Sequence, residues 1–227
     1  METIDTTIQA NEQPTHPRHF YVCSYGGSGS TMLCKYLSNF GITHHIHSRI
    51  PPQLLTHTLG EHFYYSSPIS AEEMPYYTVI YIYRNPVEAI YSCCIDTHTY
   101  AGYVGTCREH LQNIECLRND YRLVDLIQTR KDLYGLAEFD ANYTDSRKLA
   151  NRNYPILSIK YEDIFEHIEE LNAAINVPNM PDIYPVRRER PKSKIAYTIL
   201  CEIYADLIAK MAKRPSMEWI LLPKNYM

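Results

Sequence analysis

Apolar positions along this chain fall in short blocks whose spacing switches between continuous runs and helical periodicity. Phe20-Tyr21-Val22-Cys23-Ser24-Tyr25 is a β-prone run closed by Gly26-Gly27-Ser28-Gly29-Ser30, a turn-forming stretch, after which Leu33, Tyr36, Leu37 and Phe40 keep helical spacing up to Gly41. The pattern predicts strand, glycine loop, helix. Ile42 to His47 alternates, with Ile42, His44 and Ile46 on one face and Thr43, His45 and His47 on the other, until Pro51-Pro52 ends a second strand. Thr78-Val79-Ile80-Tyr81-Ile82-Tyr83 is nearly continuously apolar, as a strand covered on both faces should be. Asn85 then caps a helix that Pro86 opens.

Further on, Leu111, Ile114, Leu117, Tyr121 and Val124 predict a long amphipathic helix or helix pair between Arg108 and about Tyr134. Residues Asn142 to Asn153 read as loop, and Pro155 to Tyr161 as the last strand. A helix with Ile164, Ile168, Leu171 and Ile175 inward follows, then a basic stretch from Arg187 to Lys194 and a final helix carrying Ile195, Ile199, Ile203, Leu207 and Met211. Strands alternating with helices predict a three-layer α/β/α domain with a mainly parallel central sheet. Residues 1–18, polar and without periodicity, are expected to be a disordered arm ahead of one domain over 19–227.

Composition narrows the function classes. The 227 residues carry 22 basic and 26 acidic side chains, a net charge of −4, so no overall positive field favours nucleic acid. No run approaches the roughly 18 apolar residues of a membrane span, and the first 18 residues hold no apolar signal core, so a cytoplasmic protein is expected. The seven cysteines form no CxxC pair and read as reduced core thiols. Tyrosine dominates the aromatics, with 21 against five phenylalanines and one tryptophan; this reads as codon or surface bias.

Two segments carry chemistry. A glycine loop between a buried strand and a helix aims several backbone N–H groups at one point, and the hydroxyls of Ser28, Ser30 and Thr31 can add hydrogen bonds; such a point binds phosphate. The lysine that a nucleotide-hydrolase loop places before its last hydroxyl is missing, Ser30 standing there instead. A P-loop nucleotide kinase or hydrolase is therefore the runner-up. At the end of the strand over 78–83, Arg84 faces the ligand crevice of a parallel sheet, and Ser92 lies eight residues on, roughly 10–12 Å along a helix. Arginine fork and serine hydroxyl could share one phosphate; a surface salt bridge is the plain alternative.

With these motifs in hand, the chain resembles the sulfotransferases that use 3′-phosphoadenosine 5′-phosphosulfate (PAPS). Ser24-Tyr25-Gly26-Gly27-Ser28-Gly29-Ser30-Thr31 is similar to their 5′-phosphosulfate loop, Arg84-Asn85-Pro86 with Ser92 matches their 3′-phosphate motif, and Lys160-Tyr161-Glu162-Asp163-Ile164 resembles a third, late motif. The resemblance spans about residues 20–178 and keeps the family order. It implies a P-loop sulfotransferase-like fold, and transfer of a sulfuryl group from PAPS to a hydroxyl or amine, with a small molecule or carbohydrate as acceptor and adenosine 3′,5′-bisphosphate as product. It further implies that Gly26, Gly27, Ser28, Gly29, Ser30 and Thr31 cradle the 5′ end, that Arg84 and Ser92 hold the 3′-phosphate, and that Tyr161 packs by the adenine. Arg188 and Arg190 of the basic stretch would close over the 3′-phosphate, unless that stretch is a solvated charge run.

The chain departs from the family at two places. The loop cation that neutralises the departing oxygen is Gly27 here, leaving Arg49 or Lys35 as local substitutes; if neither reaches, the chain is a catalytically impaired nucleotide-binding protein. The base is expected to be His47, within His44-His45-Ile46-His47-Ser48-Arg49, because imidazole accepts a proton near neutrality. His45 and His47 share a strand face, which raises zinc as an alternative. No cysteine or acidic partner stands at a metal spacing, and no metal is expected.

Overall fold

Strand β1 (His19–Cys23) lies inside the sheet, with a strand on either side, because both its faces are apolar. Phe20 and Val22 enter one buried cluster with Leu33, Leu37, Ile80 and Ile82, while Tyr21 and Cys23 enter another with Val79, Tyr81, Phe139 and Tyr143. The computed structural model describes residues 16–57, 67–95, 110–152, 154–187 and 194–221. Within them, β1, β2 (Ile42–Ile46), β3 (Tyr77–Tyr83), β4 (Ile156–Lys160) and β5 (Met217–Leu221) form one sheet in the order β2-β1-β3-β4-β5. The first four strands are parallel and β5 runs antiparallel on β4.

Helices cover both faces. On the first, α1 (Ser30–Leu37) and α7 (Ile168–Ala174) bury Leu33, Leu37, Ile168 and Leu171. On the second lie α2 (Pro86–Ile90), α3 (Ile114–Arg118), α4 (Leu123–Thr129), α5 (Leu136–Thr144), α6 (Ser146–Leu149), α8 (Lys194–Ile203) and α9 (Ala205–Ala212), which supply Val87, Cys116, Leu126, Phe139, Leu149, Leu200 and Leu207. The three-layer expectation holds in this form. No helix among the described residues is long and apolar enough to cross a membrane.

Several elements differ from the pattern reading. Of the two forms expected between Arg108 and about Tyr134, the helix pair is the one found, as α3 and α4, broken where Asp120 takes a left-handed φ of 50°. The stretch read as loop from Asn142 contains the end of α5 and all of α6, whose polar faces hide the helical period. The final helix breaks at Tyr204, and β5 follows it. That strand has no signature in local periodicity because what defines it is pairing across the sheet, with Trp219 opposite Leu157. His16 to Arg18, expected in a free arm, are tied down: His16 packs on Tyr76, and Arg18 donates to the Ile175 carbonyl at 3.0 Å. Residues 1–15 lie outside the described residues.

Among the described residues the tyrosines are mostly a core feature, against the surface reading. Tyr21, Tyr25, Tyr81, Tyr83, Tyr134, Tyr143, Tyr154 and Tyr204 are among the largest fully buried side chains. A buried phenol needs a partner for its hydroxyl, and several of these rings find one on a distant segment. Tyr21 donates to the Thr56 carbonyl, Tyr143 to the Ser48 carbonyl and Tyr204 to Asp132. Loops are thereby pinned to the sheet by Tyr21 and to the helical layer by Tyr143 and Tyr204. One buried charge also needs partners: Asp140, fully buried on α5, pairs with Arg214, with Lys210 3.4 Å away.

Candidate functional site at the β1–β3 switch point

From β1 the chain crosses to β2 on one side, then returns to β3 on the other, so the β1 and β3 ends diverge and leave a crevice at the carboxyl edge. The glycine loop leaves β1 into this crevice. Gly26, Gly27 and Gly29 hold φ values of 88°, 64° and 84°, left-handed angles that favour glycine. Crowding enforces glycine as well: a Cβ on residue 27 would lie 2.3 Å from the Ala89 carbonyl oxygen, and one on residue 29 would lie 2.4 Å from the Tyr161 ring. Gly29 caps α1, and no side chain hydrogen-bonds to that cap. The N–H groups of the first turn therefore face the crevice without a side-chain acceptor at the cap, a local electropositive point.

Arg84 stands opposite, just past the end of β3. Its guanidinium donates to the Gly27 carbonyl at 3.1 Å and lies 4.6 Å over the Tyr161 ring. Glu88 and Glu162 flank it at 3.6 and 3.9 Å. Any anion entering here would compete with these carboxylates for the fork. The Arg84 backbone is clamped as well, its N–H donating to the Tyr25 hydroxyl at 3.0 Å while that hydroxyl donates to the Arg84 carbonyl. Strand pairing brings the third motif alongside, through the Tyr161 N–H bond to the Tyr83 carbonyl.

The resulting crevice has a volume of about 890 Å³, within the range of roughly 300–1,000 Å³ usual for ligand sites. Gly27, Gly29, Ser30, Thr31, Lys35, Arg84, Ser92, His110 and Tyr161 line it. Seven of these come from the sequence motifs: Gly27, Gly29, Ser30, Thr31, Arg84, Ser92 and Tyr161. Gly26 and Ser28 belong to the loop but turn elsewhere, Ser28 being fully buried with its hydroxyl on the Gly26 carbonyl. Ser30 is held inside the loop by Ser24 at 3.1 Å and by His45 Nε2 at 2.8 Å, leaving Thr31 as the exposed hydroxyl.

Arg49 is not brought to the loop. Its guanidinium donates to the Leu111 and Gly135 carbonyls and to Glu138, which clamps the start of α5 and holds the Glu138 carboxyl below its ordinary range. Arg49 lines a second cavity of about 410 Å³ with Gln112, Asp132 and Glu138. Lys35, the other local cation named from the sequence, lines the main crevice. Arg188 and Arg190 lie outside the described residues.

His47 is brought close to the crevice through a residue the motif reading passed over. His110 lines the crevice, its ring centroid is 4.4 Å from that of His47, and the His45 and His47 centroids are 4.3 Å apart. Burial, then the neighbouring His47 and His45, lowers the His110 pKa to about 4, so its imidazole is neutral at physiological pH. No local spacing marks His110; its place is set by packing against Gly26. His44 behaves as the packing residue its strand face suggested, stacked on Tyr21 with its pKa lowered to about 4 by burial and by His19. No family model, curated protein or solved structure matches this chain.

Proposed function

We propose that this protein transfers a sulfuryl group from PAPS to a hydroxyl or amine of a small molecule or carbohydrate. The observation that carries the reading is the Arg84 guanidinium turned onto the glycine loop, with Nη1 3.1 Å from the Gly27 carbonyl. Two anion-binding features on adjacent strand ends suit one ligand with phosphates at both ends. The uncapped start of α1 would take the 5′-phosphosulfate, Arg84 and Ser92 the 3′-phosphate, and the Tyr161 ring would border the nucleoside.

In the proposed reaction an acceptor oxygen attacks sulfur in line. The bond from sulfur to the bridging phosphate oxygen breaks, and its electron pair leaves with adenosine 3′,5′-bisphosphate. The acceptor proton passes to the His47/His110 pair, of which His110 borders the crevice. Lys35 offers a cation on the same crevice for the charge that grows on the departing oxygen. Gly27 cannot do so, because its backbone angle and the Ala89 carbonyl exclude a side chain there.

Calorimetric titration with adenosine 3′,5′-bisphosphate tests the binding half: submillimolar affinity is expected, and its absence removes the proposal. Incubation with sulfur-labelled PAPS and a panel of hydroxyl acceptors tests the chemical half. Tight binding with no transfer to any acceptor would favour a nucleotide-binding protein without turnover, a reading that the excluded side chain at residue 27 supports.

A further inference from the structure

His45, His47 and His110 each offer one ring nitrogen, and these nitrogens lie within 4.8 Å of one another. We propose that the three imidazoles form a site for one divalent transition-metal ion of the zinc class, with its remaining coordination position toward the glycine-loop crevice. Zinc–nitrogen bonds of about 2.0–2.1 Å in tetrahedral geometry place the ligating nitrogens roughly 3.3–3.4 Å apart. The existing cluster closes to that spacing with small changes in ring orientation. An exposed trio of histidines would scatter its rings, whereas this one is held in mutual ring contact by two separate parts of the chain.

Ordinary core packing leaves one feature unexplained. The His110 Nδ1 atom is buried and has no hydrogen-bond partner among the described residues. A buried ring nitrogen left so is unfavourable, and a metal ion bound through it would satisfy it. The chemistry of the donors sets the ion class. Imidazole nitrogen suits zinc, copper, nickel and cobalt, while magnesium and calcium require oxygen ligands, and the group contains no carboxylate. Three protein ligands with a fourth position free is the pattern of sites that bind and activate a small molecule rather than merely brace a fold.

The cluster is joined to the loop at two points: His45 Nε2 contacts Ser30 Oγ at 2.8 Å, and a Cβ at Gly26 would stand 3.1 Å from that of His110. Ion loading should therefore strengthen anion binding in the crevice. A further consequence rests on the sulfuryl-transfer reading: an imidazole holding a metal cannot also take the acceptor proton, so the ion and the proton compete for the same nitrogens.

The test uses the full chain, stripped with a chelator and titrated with zinc by calorimetry and with cobalt by visible absorption. One ion per chain is expected, with the intense d–d bands of tetrahedral cobalt, and magnesium should give no heat. Loss of an outer partner typically weakens a metal site about 10–100-fold, so removing a direct ligand in His110→Gln or His47→Gln should weaken zinc by more than about 100-fold. Zinc at about a hundredfold its Kd should raise the wild-type Tm by about 5–10 °C and leave His110→Gln unmoved, provided that variant keeps its far-ultraviolet dichroism. His45→Gln supplies a second variant should His110→Gln fail to fold. Absence of stoichiometric uptake, or uptake unchanged in the triple glutamine variant, would overturn the site. Titration of the bisphosphate nucleotide into chelator-treated protein reports on the transfer reading separately, since the two bindings can fail independently.

Discussion

Replacing Gly29 with alanine tests the geometry on which the crevice depends. The new methyl carbon would lie 2.4 and 2.5 Å from two carbons of the Tyr161 ring, on a residue whose φ is 84°. Two effects add. A left-handed angle on an L-residue costs about 1–2 kcal/mol, and forcing a buried ring aside costs about 1–3 kcal/mol by overpacking. The variant should therefore lose about 2–5 kcal/mol, read as a Tm fall of roughly 5–15 °C for a chain of this size. Tyr161→Ala removes the collision but leaves the angle, so in that background the alanine should cost only about 1–2 kcal/mol. Urea unfolding of wild type, both single variants and the double variant closes the cycle. If the two substitutions add within about 0.5 kcal/mol, the ring does not press on the loop and the reasoning fails.

Other consequences follow from the same geometry. Arg84→Ala should weaken adenosine 3′,5′-bisphosphate about 10–150-fold, the loss of one or two charge-assisted hydrogen bonds, while adenosine 5′-phosphate changes little; equal losses by calorimetry would contradict its assignment to the 3′ end. Arg214→Leu takes the closest cation from the fully buried Asp140 carboxylate, leaving Lys210 at 3.4 Å, and should cost about 3–5 kcal/mol in urea unfolding, whereas adding Asp140→Leu should recover most of it; an unchanged midpoint in the single variant would show the pair to be idle. The His44 pKa, lowered by burial from 6.5 to about 4, means that the unfolded chain takes up a proton first as the pH falls. Its contribution to stability is thus full above about pH 6.5 and is lost as the pH falls toward 4, so the Tm measured in chelator should drop over that window, and less so in His44→Gln. A flat Tm between pH 7 and 4.5 would refute this.

The strand-end motifs were legible because their geometry is local. A run such as Thr78–Tyr83 declares a covered strand, a parallel sheet gathers strand ends at one edge, and residues just beyond those ends must therefore meet. On that ground Arg84 and the glycine loop could be paired from spacing alone. The cap at Asn85, which accepts from the Val87 N–H at 3.0 Å, was equally readable. So was the inward role of His44, since alternation along a strand fixes the face.

Long-range packing decided the rest. Arg49 looked like a loop cation by proximity in sequence, yet three carbonyls and a carboxylate far along the chain claim its fork. Nothing near Gly27 announces that a side chain there would strike the Ala89 carbonyl. His110 joins His45 and His47 only after the second helical layer folds onto the sheet. Periodicity reports which face of an element turns inward, whereas the identity of what waits there depends on contacts between distant segments, which a single sequence does not encode in any local spacing.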